Sequence, residues 1–211
     1  MTTVDRKTFL AELAKVKENG DDLQYITEEL KSNEEIVLAA VACKGQALRF
    51  AAPCFRSDRK IVWMAVKQSG RALQYASDDL RGSRFLALHA VKHCHTEYDH
   101  VLEFLPAALR DDDEVVMTSV TTSGLSLEHA SDRLRACKAI VLAAVKQSGL
   151  AVRFAAEDLK LDADVVREAR PLTKKERKTL QKWQPAKRQN GSLQLQKDGQ
   201  GKRSREEGNL E

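Results

Sequence analysis

Apolar side chains recur along this chain with a period of 25 residues, and most periods open at a glycine. Glycines stand at positions 20, 45, 70, 124 and 149, and the residues after them repeat one order of apolar and polar types. Self-similarity of this kind is typical of repeat proteins, whose stacked units share one continuous core. The copies span residues 20–44, 45–69, 70–94, 99–123, 124–148 and 149–170, after a half copy that begins at residue 5.

Each copy contains two apolar patterns with helical spacing. In the first copy, Leu23, Ile26 and Leu30 follow an i, i+3, i+7 spacing, which predicts an amphipathic helix. Residues 36–41 then carry apolar side chains at a 3.6-residue spacing and include alanines, which favours a second helix over a strand. The sequence therefore predicts an all-α fold, a short α-solenoid of about six 25-residue helix-turn-helix repeats, with about thirteen short helices and no sheet.

The second helix of each copy has a recognisable start and end. Side chains that accept hydrogen bonds from the first turn of a helix occupy one repeat position, where they predict N-caps. The glycine after the helix predicts an end in the left-handed conformation, which glycine adopts without steric cost. The predicted caps are Asn33, Asp58, Ser83, Asp112 and Asp162, whereas the fifth copy has Cys137, a weaker cap.

The composition changes where the repeats end. Residues 170–211 hold twelve basic and five acidic residues, a net charge of +7, whereas the preceding residues carry −3. The sequence therefore divides into a repeat array over residues 1–170 and a basic tail over residues 171–211. We expect the tail to be largely disordered, because polar and charged residues dominate it. A capping box at Thr173 predicts one short helix over residues 173–183, which would need a surface to lie on.

Three phrases in the array resemble a known repeat. They are IVLAAV at residues 36–41, VKQSGRALQYA at residues 66–76 and IVLAAVKQSGL at residues 140–150. On these phrases the chain resembles the helical repeat of domain-of-unknown-function family 4116 over roughly residues 20–170, one family unit spanning about two copies. The resemblance implies tandem helical repeats without an agreed activity, and no catalytic residues carry over from it.

Composition also indicates the compartment. Hydrophobic residues make up 42% of the chain, and the longest apolar run, the eight residues 36–43, is far shorter than a membrane span. No long apolar stretch follows the first residues, which argues against a signal peptide. The four cysteines form no Cys-x-x-Cys pair, so we expect reduced thiols in an intracellular protein, cytoplasmic or nuclear.

A basic residue ends the first predicted helix of every copy. If the copies stack, these residues form a row along one edge that would suit a phosphate backbone or an acidic peptide. A cation at a helix C-terminus also offsets the helix dipole, and acidic neighbours such as Glu28 would neutralise it, so the structural interpretation is favoured. The six residues, which we call the basic ladder, are Lys31, Arg56, Arg81, Arg110, Arg135 and Lys160.

The tail offers a second set of candidate partner contacts. Five cations precede a tryptophan there, and together they would give a nucleic acid both positive charge and a ring on which a base stacks. The negative net charge of the array argues against RNA lying along the repeats themselves. These tail residues are Lys174, Lys175, Arg177, Lys178, Lys182 and Trp183.

Histidines cluster in the third copy and just after it. His89 and His93 are one helical turn apart and His95 follows, so two imidazoles could bind one metal. No carboxylate stands at ligand spacing on the same helix, and position 89 is variable among the copies. We therefore expect an exposed cluster without a metal, and no cofactor. Trp63 aligns with leucine and methionine in other copies and is expected to pack between helices.

Three classes of function follow from these features. The first is a non-enzymatic interaction or scaffold module that binds a partner protein through the helical repeat surface. The second is an RNA- or ribonucleoprotein-associated protein that contacts RNA through the basic tail. The third, a metal-dependent enzyme built on the histidines, has the least support, because no nucleophile is paired with a base and no carboxylate pair has apolar walls. We expect the first.

Overall fold

The computed structural model describes residues 5–93 and 100–169. Within them the chain forms thirteen α-helices, six 3₁₀ helices and no strand, which confirms the predicted α-solenoid. The long helices are α1 (Arg6–Glu18), α3 (Glu34–Cys43), α5 (Arg59–Gln68), α7 (Arg84–Lys92), α9 (Asp113–Thr122), α11 (Lys138–Gln147) and α13 (Ala163–Glu168). The short helices are α2 (Glu28–Lys31), α4 (Pro53–Arg56), α6 (Asp78–Arg81), α8 (Ala107–Arg110), α10 (Asp132–Arg135) and α12 (Glu157–Lys160). The 3₁₀ helices are Gly20–Gln24, Gly45–Phe50, Gly70–Tyr75, Val101–Phe104, Gly124–His129 and Gly149–Phe154.

Consecutive long helices pack side by side in chain order. Helix α1 packs on α3 and α3 on α5, and the series continues through α7, α9 and α11 to α13. Each long helix from α3 to α11 buries the same four positions, which in α3 are Ile36, Val37, Ala40 and Val41. None of the helices in this part of the chain has the length and apolarity that a bilayer crossing demands.

The first helix predicted in each copy is in fact two segments. A 3₁₀ helix comes first, the chain then extends, and a four-residue α-helix follows. Ala51, at φ −71° and ψ 152°, lies in such an extended break. Leu23, Ile26 and Leu30 are buried nonetheless. The spacing misled the prediction because the buried residues before, within and after the break keep the intervals that one continuous helix would show.

The predicted N-caps are confirmed in four copies. The side-chain oxygens of Asn33, Asp58, Asp112 and Asp162 accept hydrogen bonds from the backbone N–H groups two and three residues later. The prediction is wrong for Ser83, whose hydroxyl does not turn back to the first-turn amides. The fifth copy, which begins its long helix at a cysteine, has no side-chain cap either, as expected.

The recurring glycine is not a left-handed cap, so that prediction is wrong. The long helices end at an extended residue, such as Ser69 at φ −152° and ψ 116°, and the glycine follows with a negative φ. A Cβ built on Gly70 would lie 2.0 Å from the carbonyl oxygen of Ala90, near the end of the next long helix. Glycine recurs because only a residue without a side chain lets consecutive long helices approach so closely.

Candidate interaction surfaces

Every residue of the basic ladder ends a short α-helix. In four of the six copies its side chain pairs with an acidic residue three positions earlier, so most of the ladder is neutralised within its own helix. The two lysine pairs have Nζ–Oε1 distances of 2.7 and 2.6 Å. The four pairs are Lys31–Glu28, Arg81–Asp78, Arg135–Asp132 and Lys160–Glu157.

Arg56 and Arg110 are the ladder residues whose positive charge is not neutralised by an acidic side chain of their own helix. Pro53 and Ala107 stand three residues earlier, where the other copies carry an acid. The Nε atoms of both arginines are buried without a hydrogen-bond partner among residues 5–93 and 100–169, and neither arginine forms an ion pair there. Any binding of an outside anion by the ladder would therefore centre on these two positions.

The ladder also connects neighbouring copies through its backbone. The carbonyl oxygens of Arg56, Arg110 and Arg135 each accept a hydrogen bond of 2.9 Å from the backbone N–H 21 residues later, which lies in the next copy. Arg110 and Arg135 line one shallow cleft of about 410 Å³, and Arg135 and Lys160 line the next, of about 350 Å³. The ladder residues therefore lie in a row, as the repeat predicted, and one of their roles is structural.

The remaining candidate contacts lie outside the described residues. This holds for the tail set of Lys174, Lys175, Arg177, Lys178, Lys182 and Trp183, for the helix over residues 173–183 and for His95. Nucleic-acid binding by the tail therefore stays a prediction.

His89 lies on α7 and His93 directly follows its last residue, with the two ring centroids 6.3 Å apart and their planes nearly parallel. Burial lowers the pKa of His89, and the neighbouring Lys92 and His93 lower it further. In the part of the chain that the structure describes, no group of three His, Cys, Asp or Glu side chains is placed to hold a metal ion. His89 packs instead against aromatic rings.

Trp63, Phe85 and His89 form a cluster between α5 and α7 that we call the aromatic patch. The Trp63 ring centroid lies 5.1 Å from that of Phe85 and 4.4 Å, edge-on, from that of His89. Trp63 packs partly buried against the core, whereas Phe85 is 48% exposed. The residues at the position of Phe85 in the other copies are Glu35, Lys60, Glu114, Ala139 and Asp164. The phenylalanine is therefore specific to the third copy, and the packing of the repeat does not require an aromatic side chain at this position.

Basic residues surround the aromatic patch. Arg59 and Lys60 occupy the first turn of α5, while Lys67 and Lys92 lie in the last turns of α5 and α7. The guanidinium carbon of Arg59 lies 5.9 Å from the centroid of the Phe85 ring. An open groove of about 580 Å³ is lined by Arg59, Lys60, Trp63, Phe85 and Leu86.

Two glutamines that the sequence analysis missed tie consecutive long helices together. The backbone N–H of Gly45 donates to Oε1 of Gln68 at 2.6 Å, and that of Gly124 donates to Gln147 at 2.6 Å. Nε2 of each glutamine donates in turn to the last carbonyl of the preceding long helix, at 3.4 and 3.3 Å. The phrase Val-Lys-Gln-Ser-Gly occurs at both places and was the signal available in the sequence.

Comparison with known families gives one match. The sequence profile described as Domain of unknown function (DUF4116) matches three times in tandem, over residues 12–56, 33–81 and 83–135. Each match spans about two copies, as the shared phrases indicated, but the series ends at residue 135 and not near residue 170. Neither the curated proteins nor the solved structures gave a match.

Proposed function

This chain belongs to the family described as domain of unknown function (DUF4116), and from that premise we propose that it is a non-enzymatic interaction module that binds a partner protein through its repeat surface. One observation carries the proposal: the inside of the repeats stays nearly constant from copy to copy, while the outside changes its chemistry.

The constant part is the frame. The four buried positions of each long helix from α3 to α11 hold aliphatic or small side chains in every copy. The close approach at the glycine and the hydrogen bonds between neighbouring short helices recur as well. Such a frame presents an extended surface whose shape is set by the stacking and not by the outer side chains.

The variable part is the outer face of the long helices. The first turns of α3 and α9 carry acidic pairs, whereas the first turn of α5 carries Arg59 and Lys60. At the position of His89 the other copies have Ala39, Met64, Thr118, Ala143 and Glu168. Different chemistry at equivalent positions of one frame supports selective recognition of a partner.

Affinity purification of the full chain beside a version ending at Arg170 tests the proposal. Circular dichroism first establishes that both versions are helical. Partner proteins recovered equally with both versions are the expected result. Partners recovered only with the full chain would transfer the function to the tail, and thus to the alternative, contact with RNA or a ribonucleoprotein, which the net charge of +7 over residues 170–211 supports.

A further inference from the structure

We propose that the aromatic patch on α5 and α7 binds a short acidic peptide that carries an apolar anchor side chain. The inference rests on the proposed interaction function and specifies the surface and the chemistry of the partner. Three observations carry it: the exposed rings, the cations around them, and the acidic residues on the helices to either side.

The rings supply a floor for an apolar anchor. Phe85 is 48% exposed and Met64, on the neighbouring helix, is 37% exposed. The frame does not require either side chain, because other copies place charged or small residues at both positions. Tryptophan and other large side chains at the centre of a contact supply most of the binding energy in typical protein interfaces, and the groove beside Trp63 and Phe85 is open to receive one.

The cations supply the charge complement. Arg59 and Lys60 lie in the first turn of α5, where the helix dipole disfavours cations and where α3 and α9 carry acids. Lys60 reaches Glu34 at 3.4 Å. Arg59, Lys67 and Lys92 make no ion pair with any residue in 5–93 or 100–169. Positive charge that the fold does not neutralise is complementary to carboxylates on a ligand.

The neighbouring helices limit the length of that ligand. Glu34 and Glu35 lie on α3, and Asp113 and Glu114 lie on α9, one helix away on either side of the patch. Packed helices are about 8–10 Å apart, and a ten-residue helix is roughly 15 Å long. A single-stranded nucleic acid that follows cations over many nucleotides would leave the patch or meet these carboxylates. A peptide of a few residues fits within α5 and α7.

The test is fluorescence anisotropy of the full-length chain with a fluorescein-labelled five-residue peptide of Asp and Glu around one central Phe. Phe85→Glu introduces the residue that α9 carries at this position, so the frame tolerates it. Lys67→Glu and Lys146→Glu make the same charge change at the same repeat position, the first on α5, which carries Trp63 of the patch, and the second on the distant α11. We expect Phe85→Glu to weaken binding at least about tenfold, Lys67→Glu several-fold, and Lys146→Glu less than about twofold.

Three results would overturn the proposal. They are no saturable binding of the peptide, equal weakening by Lys67→Glu and Lys146→Glu, or equal affinity for a peptide whose Phe is replaced by Ser. Tighter binding of a single-stranded oligonucleotide that is lost in Phe85→Glu would assign the patch to nucleic acid instead. The basic tail is present in every variant, so binding to it cannot produce these differences.

Failure of the patch is distinguishable from failure of the interaction function. If the partner proteins purified with the array are retained by Phe85→Glu as well as by the unchanged chain, the function stands and the aromatic patch is not its site. Loss of those partners in Phe85→Glu, with circular dichroism unchanged, supports both.

Discussion

Replacing Gly70 by alanine should destabilise the array, because the added methyl group has no space. The new Cβ would lie 2.0 Å from the carbonyl oxygen of Ala90 and 2.8 Å from its carbonyl carbon. Favourable contacts between such atoms are about 3.5 Å long, so the end of α7 must move away by more than about 1 Å. The same movement would stretch the hydrogen bond of 3.1 Å that the N–H of Gly70 donates to the carbonyl of His93.

The size of the effect follows from these two contacts. Forcing an extra methyl group into a packed site costs about 1–3 kcal/mol, and losing a backbone hydrogen bond costs about 1 kcal/mol more. We therefore expect Gly70→Ala to lower the free energy of unfolding by about 2–4 kcal/mol. With a urea m-value of about 2 kcal/mol/M, the midpoint should fall by about 1–2 M.

Urea unfolding of the full chain, followed by far-ultraviolet circular dichroism, measures this effect. Gly82→Ala is the matched control, because its Cβ would lie 3.4 Å from the nearest atom and its φ of −77° suits alanine. That change should be neutral or stabilising by about 0.4–1 kcal/mol. Gly70→Asn separates the two explanations of the glycine, since a left-handed cap tolerates asparagine and a tight contact does not. Equal midpoints for Gly70→Ala and Gly82→Ala would refute the close-approach argument.

Three further outcomes concern the caps, an ion pair and the tail. Asp58→Ala should cost about 1 kcal/mol in the same urea assay, while Ser83→Ala, whose hydroxyl caps nothing, should cost nothing; the reverse order would contradict the assigned helix starts. The hydrogen-bonded ion pair with Arg84 lowers the pKa of Asp112 in the folded protein. The stability that this pair contributes is therefore fully present above about pH 4, and it should be lost as the pH falls through the lowered pKa of the folded state. Arg84→Gln should flatten that pH dependence of the urea midpoint, and an unchanged profile would contradict the linkage. Deleting residues 171–211 should leave the array helical and abolish any RNA binding, whose log–log salt slope should be about −0.7 per phosphate contact; RNA binding that survives the deletion would move the contact onto the ladder.

The buried frame was predictable because burial repeats with the sequence. Ile36 and Ala40 and their counterparts occupy one face of each long helix, and no tertiary information is needed to see the spacing. The break before each short helix was missed because the buried residues on its two sides keep the spacing of one continuous helix. Pro53 and Pro106 were the available signals, since the residue before a proline avoids helical geometry.

Other features depend on distances between residues of different helices, which the sequence of one segment does not reveal. A glycine after a helix suits both a left-handed end and a close contact, and only the position of α7 decides between them for Gly70. The ladder could be placed from the sequence because one repeat position defines it. The aromatic patch could not, because Trp63 and Phe85 occupy different repeat positions and meet only where α5 and α7 pack together.

The joints between copies hold equivalent outer positions at a regular spacing along the array. The contacts that recur at most joints between neighbouring copies are backbone hydrogen bonds and glycine contacts, neither of which uses the outer side chains. Equivalent outer positions on adjacent long helices therefore lie about 8–10 Å apart, the spacing of packed helices. Lys67 on α5 and Lys146 on α11 are separated by three helix-to-helix steps, or roughly 25–30 Å. Adding or removing one 25-residue copy would therefore shift every later outer group by one helix spacing, about 8–10 Å.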